Sequence, residues 1–278
     1  MKRILLAIDS QNMNINAVDF ACYLARLSNS ELTAIFLEDL LIENPVMVSQ
    51  QDSAPLASMV REELEQYENK IRKRDENMRL FIEMAEEREV EAFVYLERGV
   101  PAVDMISASL FADMLVVDAA TSFTQVQEGP PTVFVKSILQ EAGCPVIIAP
   151  ESFQDIENIV FCYDGSKSSV YAIKQFTYLF PELRHKKARL VYLNKENEPS
   201  MEEDLAVVQL VKHYYKDTDF MALDVNNTSL FFEYLLEKKN DFVVMGGYGK
   251  GLLTSFFEFD AEADEYRTTS LPIFVAHY

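Results

Sequence analysis

The chain lacks any apolar run long enough to span a bilayer, which excludes a membrane-spanning helix as its organising element. Its opening stretch, MKRILLAIDS, is basic and briefly apolar like a signal peptide. Asp9 ends that run too early, and no small-residue cleavage site follows, so a buried first strand is expected instead. There are 3 cysteines, Cys22, Cys144 and Cys162, with no CxxC spacing. Each sits in an apolar segment, which implies buried thiols in a reducing, cytoplasmic setting rather than disulfides or a redox motif. The histidines, His185, His213 and His277, are too scattered for a zinc site, and none lies in an HExxH pattern. A Gly-x-Ser-x-Gly elbow and a Walker A sequence are also missing, since Gly249-Lys250 is followed by Gly251 without the upstream glycine. Basic residues are scarce, 25 against 45 acidic, for a net charge of -20. That balance opposes nucleic acid and anionic membranes as partners. An anion held locally by backbone N–H groups remains compatible with it.

About half the residues are apolar, enough for a sizeable core in 278 residues. Ile4 to Ile8 form a continuous apolar run that suits a parallel strand buried on both faces. A helix is predicted from Ala17 to Leu27 and a strand from Leu32 to Leu37. Residues 41–58, rich in Ser and Gln with two prolines, read as an irregular loop. A charged helix follows from about Met59 to Arg88. Its apolar positions, Val60, Leu64, Tyr67, Ile71, Met78, Phe81 and Ala85, are spaced by threes and fours, with Arg74 interrupting. The stripe fits a coiled-coil seam for a partner, or an ordinary helix packed on its own sheet. Strands are then predicted at Glu91 to Leu96, Met114 to Val117 and Pro145 to Ala149, with helices at Ala102 to Leu110 and Phe134 to Ala142. Strand–helix alternation of this kind gives a parallel, doubly wound sheet.

The order then repeats. Ile159 to Asp164 matches Ile4 to Asp9 at an offset of 155, Asp241 to Met245 matches Asp113 to Val117 at 128, and Pro272 to Ala276 matches Pro145 to Ala149 at 127. Between them the second half is predicted to carry helices at Val170 to Phe180, Leu205 to Tyr215 and Leu230 to Lys238, and strands at Arg189 to Asn194 and Phe220 to Val225. A duplication whose first copy gained the loop and long helix of 41–88 explains the falling offset. The two domains are placed at 1–152 and 153–278.

These first strands, together with Ser137 to Pro150 as a final helix and strand, resemble the universal stress protein family over nearly the whole chain. The resemblance implies an α/β fold of two Rossmann-like, doubly wound domains, each a five-stranded parallel sheet flanked by helices, of the adenine nucleotide alpha hydrolase-like type. It also implies pairing of the two domains through their last strands, which a tandem chain can satisfy internally. Members that bind ATP carry Gly-x2-Gly-x9-Gly-Ser/Thr after the fourth strand, and an Asp at the end of the first strand lies by the adenosine. Glycines let backbone approach phosphate, and helix N-terminal N–H groups face its charge. By that resemblance Asp164, Gly246, Gly249 and Lys250 form a partial site in the second half, for ATP or AMP. Phe259 and Asp260 stand where the late Gly and Ser/Thr belong, and Glu258, Asp260, Glu262, Asp264 and Glu265 add negative charge. In the first half Asp9 remains, but Asp118 and Thr121 replace the glycines and the late pair falls at Thr132-Val133.

Three readings stay open. One is a stress-response protein that acts by binding, with a degenerate nucleotide site in the second half and no catalytic residue or metal. Another is a scaffold or homodimer with both sites vestigial, and the third is a slow ATP hydrolase. The loop and helix of 41–88 are the expected partner surface.

Overall fold

The computed structural model of the chain describes residues 2–40, 56–124, 126–194, 201–224, 235, 238, 240–247 and 271–278. The expectations for 41–55, for most of the helix at 230–238, and for Gly249, Lys250, Phe259 and Asp260 lie outside them. The elements are β1 (Arg3–Asp9), α1 (Ile15–Leu27), β2 (Glu31–Asp39), α2 (Leu56–Glu87), β3 (Ala92–Gly99), α3 (Pro101–Ser109), β4 (Met114–Asp118), α4 (Val133–Glu141) and β5 (Val146–Ala149). The second half adds β6 (Asn158–Tyr163), α5 (Lys167–Leu179), a 3-10 turn (Pro181–His185), β7 (Lys187–Asn194), α6 (Met201–Tyr214), β8 (Thr218–Asp224), β9 (Asp241–Gly246) and β10 (Ile273–Ala276).

Among the described residues ten strands join one sheet in the order β3-β2-β1-β4-β5-β10-β9-β6-β7-β8. Within each half the pairing is parallel. The one antiparallel step is β5 with β10, where Ile147 faces Phe274, Val146 faces Val275 and Ile148 faces Ile273. Ile147 and Phe274 are each other's counterparts at the repeat offset, so a pseudo-twofold axis passes between them. The last strands of the two halves therefore pair inside one chain and cover each other's edge.

Strand registers also locate the extra chain of the first half. Leu32 of β2 faces Ala92 of β3, whereas Ala188 of β7 faces Thr218 of β8. The added residues thus lie between the second and third strands. Both faces of the sheet are covered, as expected of strands built from unbroken apolar runs. One face packs Phe20, Phe36, Phe81, Phe176, Phe242 and Phe274 under α1, α2, α5 and α6. The other buries Leu115, Val117, Val135, Ile138, Ile148 and Val275 under α3 and α4.

The long helix behaves differently along its length. Phe81, Met84 and Ala85 are buried on its own sheet, with Phe36 meeting Phe81 edge-on at 6.2 Å, while Leu64 and Tyr67 are exposed. The stripe therefore packs as an ordinary helix in its carboxyl-terminal part. Among the described residues no helix is long and apolar enough to cross a membrane.

Candidate functional site

In a doubly wound sheet, ligands bind beyond the carboxyl ends of the strands, where the strand order reverses. In the first half that point lies between β1 and β4, and it is filled by the chain's own side chains. Asp9 ends β1. One of its carboxylate oxygens accepts the Gln11 N–H at 2.9 Å, and the other accepts the Asn12 side-chain amide at 2.7 Å. Asn14 caps α1 by accepting the N–H groups of Asn16 and Ala17. The same side chain donates to Asp118 at the end of β4, at 2.9 Å. Two carboxylates and their amide partners thus occupy the place where an anion would have to enter. Thr132, the cap of α4, accepts the Val135 N–H and donates to the Thr121 carbonyl, so the late pair of this half is spent on loop structure.

The long helix closes this end further. Asn77 donates to the Ser10 carbonyl at 2.8 Å, and Gln11 donates to the Lys70 carbonyl at 3.2 Å. Glu38, buried at the end of β2, lies 3.5 Å from Arg74 of α2 and 2.8 Å from Arg98 of β3, and accepts from Ser10. The Arg98 contact is an ion pair outside hydrogen-bond geometry, since the facing Glu38 oxygen has no hydrogen-bond partner by angle. Arg74, which broke the apolar stripe in the sequence, is therefore the inward residue of a buried charge cluster. Sequence reasoning missed Glu38, Asn77 and Asn14. The interruption at Arg74 was the one signal pointing toward them.

The second half is built on the same plan with different contents. Asp164 follows β6 and Gly246 ends β9, and these strands are neighbours in register, Phe161 facing Val244. The structure brings Asp164 and Gly246 to one edge. Asp164 is exposed and accepts the Ser166 N–H at 3.0 Å, across Gly165 at φ 78°, a left-handed conformation natural to glycine. Ser166 caps α5 by accepting the Ser169 N–H at 3.0 Å. Gly246 lies against that helix start, and a Cβ there would come within 2.9 Å of the Ser169 backbone nitrogen. A Cβ on Gly247 would meet the His277 Cβ at 2.5 Å. Both glycines are thus required by packing, whatever else they do. Ser169 and Gly246 are the counterparts of Asn14 and Asp118 at the repeat offsets, so the side-chain plug of the first half is replaced by bare backbone contact.

Beside this edge, between α5 and α6, lies an open cleft of about 600 Å³. Gly165, Ser166 and Lys167 form its rim, and Val170, Val207 and Leu210 part of its wall. Tyr163, Tyr171 and Tyr278 add aromatic surface, with Tyr171 and Tyr278 edge-on at 5.9 Å. Among the described residues no group of His, Cys, Asp and Glu is arranged to hold a metal ion.

No protein-family model and no curated protein matches the sequence. Solved structures do match the fold. A universal stress protein from Archaeoglobus fulgidus DSM 4304 superposes with a TM-score of 0.67 at 14% identity, covering 99% of this chain and 96% of that one. A putative universal stress protein from Pseudomonas aeruginosa UCBPP-PA14 gives 0.55 at 11% identity, covering 100% and 93%. A functionally unknown protein from Pseudomonas aeruginosa PAO1 gives 0.53 at 10% identity, covering 100% and 92%. The architecture is therefore a doubly wound α/β sheet of the Rossmann-like class. More narrowly, the chain has the fold of the universal stress proteins along its whole length.

Proposed function

We propose that this protein is a universal-stress-protein-like stress-response protein that acts by binding rather than by catalysis, in the cytoplasm, and that its second half alone holds the ligand. The observation supporting this reading is the asymmetry of the two switch points. Asp9 and Asp118 are tied up by Asn12 and Asn14 beneath the long helix, whereas among the described residues Asp164 is exposed and Gly246 lies bare against the start of α5. An adenine nucleotide is the proposed ligand, held weakly because the phosphate-facing pattern is incomplete in sequence. Asp164 would meet the adenosine, with Gly246, Gly249 and Lys250 on the phosphate side. The exposed Leu64 and Tyr67 on the outer part of α2 are the proposed protein-partner surface.

Calorimetric titration with magnesium-ATP tests the nucleotide reading. Saturable heat that is lost in Asp164→Ala, an exposed position, and retained in Asp9→Ala is the expected result. Absence of heat at millimolar ligand, or loss in the Asp9 variant instead, would overturn it.

A further inference from the structure

The duplication supplies an internal control for the cleft. In the first half the loop before α1 is tied to α2 by Asn77 on Ser10 and Gln11 on Lys70, and Arg88, just past α2, pairs with Asp19 of α1. In the second half the corresponding helices meet near their carboxyl ends, where Tyr178 packs edge-on against Tyr214 at 6.1 Å and Arg184 lies 4.9 Å from the Tyr214 ring. Toward their amino ends they enclose the cleft. Among the described residues α6 has 14 residues against 32 for α2.

Charge changes with shape. At the offset relating β1 to β6, Lys174 stands where Asp19 stands, the acid that Arg88 pairs in the first half. Lys167 and Lys174 both line the cleft, both are exposed, and neither forms an ion pair among the described residues. Positions 167, 170, 171 and 174 share one helical face. Seven residues of helix separate the lysines by about 10 Å along the axis. The cleft thus presents an apolar wall with two lysines along its α5 side, Asp164 lying next to the rim at Ser166, in a chain whose net charge is -20. Opposite charge concentrated against the overall field marks a place for an anion. The apolar wall and tyrosine rings call for a hydrophobic body on that anion.

We propose that the α5–α6 cleft binds an amphipathic carboxylic acid, its alkyl or aryl body against Val170, Val207 and Leu210 and its carboxylate at Lys167 beside the start of α5. Apolar burial would supply most of the affinity, because ion pairs at exposed lysines contribute modestly. The lysines would select the acid over its uncharged analogue. Neither Asp164 nor Gly246 lines the cleft, so this reading stands without the nucleotide one.

The test is calorimetry on the full chain with dodecanoate below its micelle concentration, with 2-naphthoate and with dodecanol. Dodecanoate or naphthoate should bind saturably, and which one binds tells whether the body is a chain or a ring. The exposed double variant Lys167→Gln/Lys174→Gln should weaken acid binding at least fivefold and leave dodecanol binding unchanged, while Lys212→Gln, outside the cleft, should change neither. Ala206→Trp, which fills the cleft from an exposed helix position, should abolish binding. Failure of both acids to bind, or equal affinity in the double variant, would each overturn the proposal.

Discussion

Glu38 is the residue whose replacement says most about how the first half is closed. It is 7% exposed and sits between Arg74 at 3.5 Å and Arg98 at 2.8 Å, with the Ser10 hydroxyl at 3.3 Å. At an effective dielectric constant near 20, each such pair is worth about 4–6 kcal/mol before desolvation is subtracted. Taking the carboxylate out of water offsets much of this, but removing one member of a buried pair typically costs about 3–5 kcal/mol, because the partner charge is left uncompensated. Here Arg74 keeps Asp75 at 2.7 Å and Arg98 is 39% exposed, so both guanidinium groups retain some compensation. Glu38→Gln is therefore expected to destabilise the protein by about 2–3 kcal/mol. Urea unfolding measures this, and a double-mutant cycle with Arg74→Gln should return a coupling of at least about 1 kcal/mol. The loss should change little between low and moderate salt, because the cluster is buried. A loss below about 0.5 kcal/mol, the range of ordinary surface changes, with no coupling to Arg74, would refute the idea that this cluster clamps the helix.

Other perturbations follow from the same geometry. Gly246→Ala forces a Cβ to 2.9 Å from the Ser169 nitrogen, and a loss of about 1–3 kcal/mol is expected in thermal unfolding. Phe274→Ala, at the pseudo-twofold axis and 0% exposed, should cost about 3–5 kcal/mol in denaturant unfolding, with both halves losing protection to hydrogen exchange. None of the three thiols should react with a disulfide reagent at neutral pH until the protein unfolds. Burial pushes Cys22 up to about 11, Cys144 up to about 12 and Cys162 higher still, from 9.0. The unfolded thiols lose their protons first, so the native state binds more protons above pH 9 and its stability falls there. A serine triple variant should lose less stability between pH 9 and 11 than the parent does.

Much of the fold was legible because it is written in unbroken apolar runs. Ile4 to Ile8, Ile159 to Tyr163 and Pro272 to Ala276 suit strands buried on both faces, and their offsets announced the duplication. Pairing of β5 with β10 was expected from the resemblance alone, since no periodicity encodes which edge meets which. The start of α5 was missed by three residues: Ser166 caps a polar first turn, Lys167-Ser168-Ser169, whose apolar face begins only at Val170. Leu64 and Tyr67 continue the stripe of α2 beyond the sheet that could bury them, so spacing could not tell packed positions from exposed ones.

The site was less legible for a similar reason. Asp9 and Asp164 occupy equivalent positions in sequence. They differ in a near partner, Asn12 for Asp9, and in surroundings set far along the chain, where Asn14 bridges to Asp118 of β4 and Asn77 of the added helix holds Ser10. Arg74 looked like a flaw in a stripe because its partner, Glu38, belongs to another element. The α5–α6 cleft had no sequence signature, because its wall joins residues of two helices far apart in the chain, Val170 with Val207 and Leu210.

Hydrogen exchange across the whole chain, with and without saturating magnesium-ATP, is the most direct test of binding confined to the second half. The account predicts slower exchange at residues 164–169 and 246–247, and no change at 9–18 or 118–121. Slower exchange in the first half, or none anywhere despite saturable binding, would contradict it.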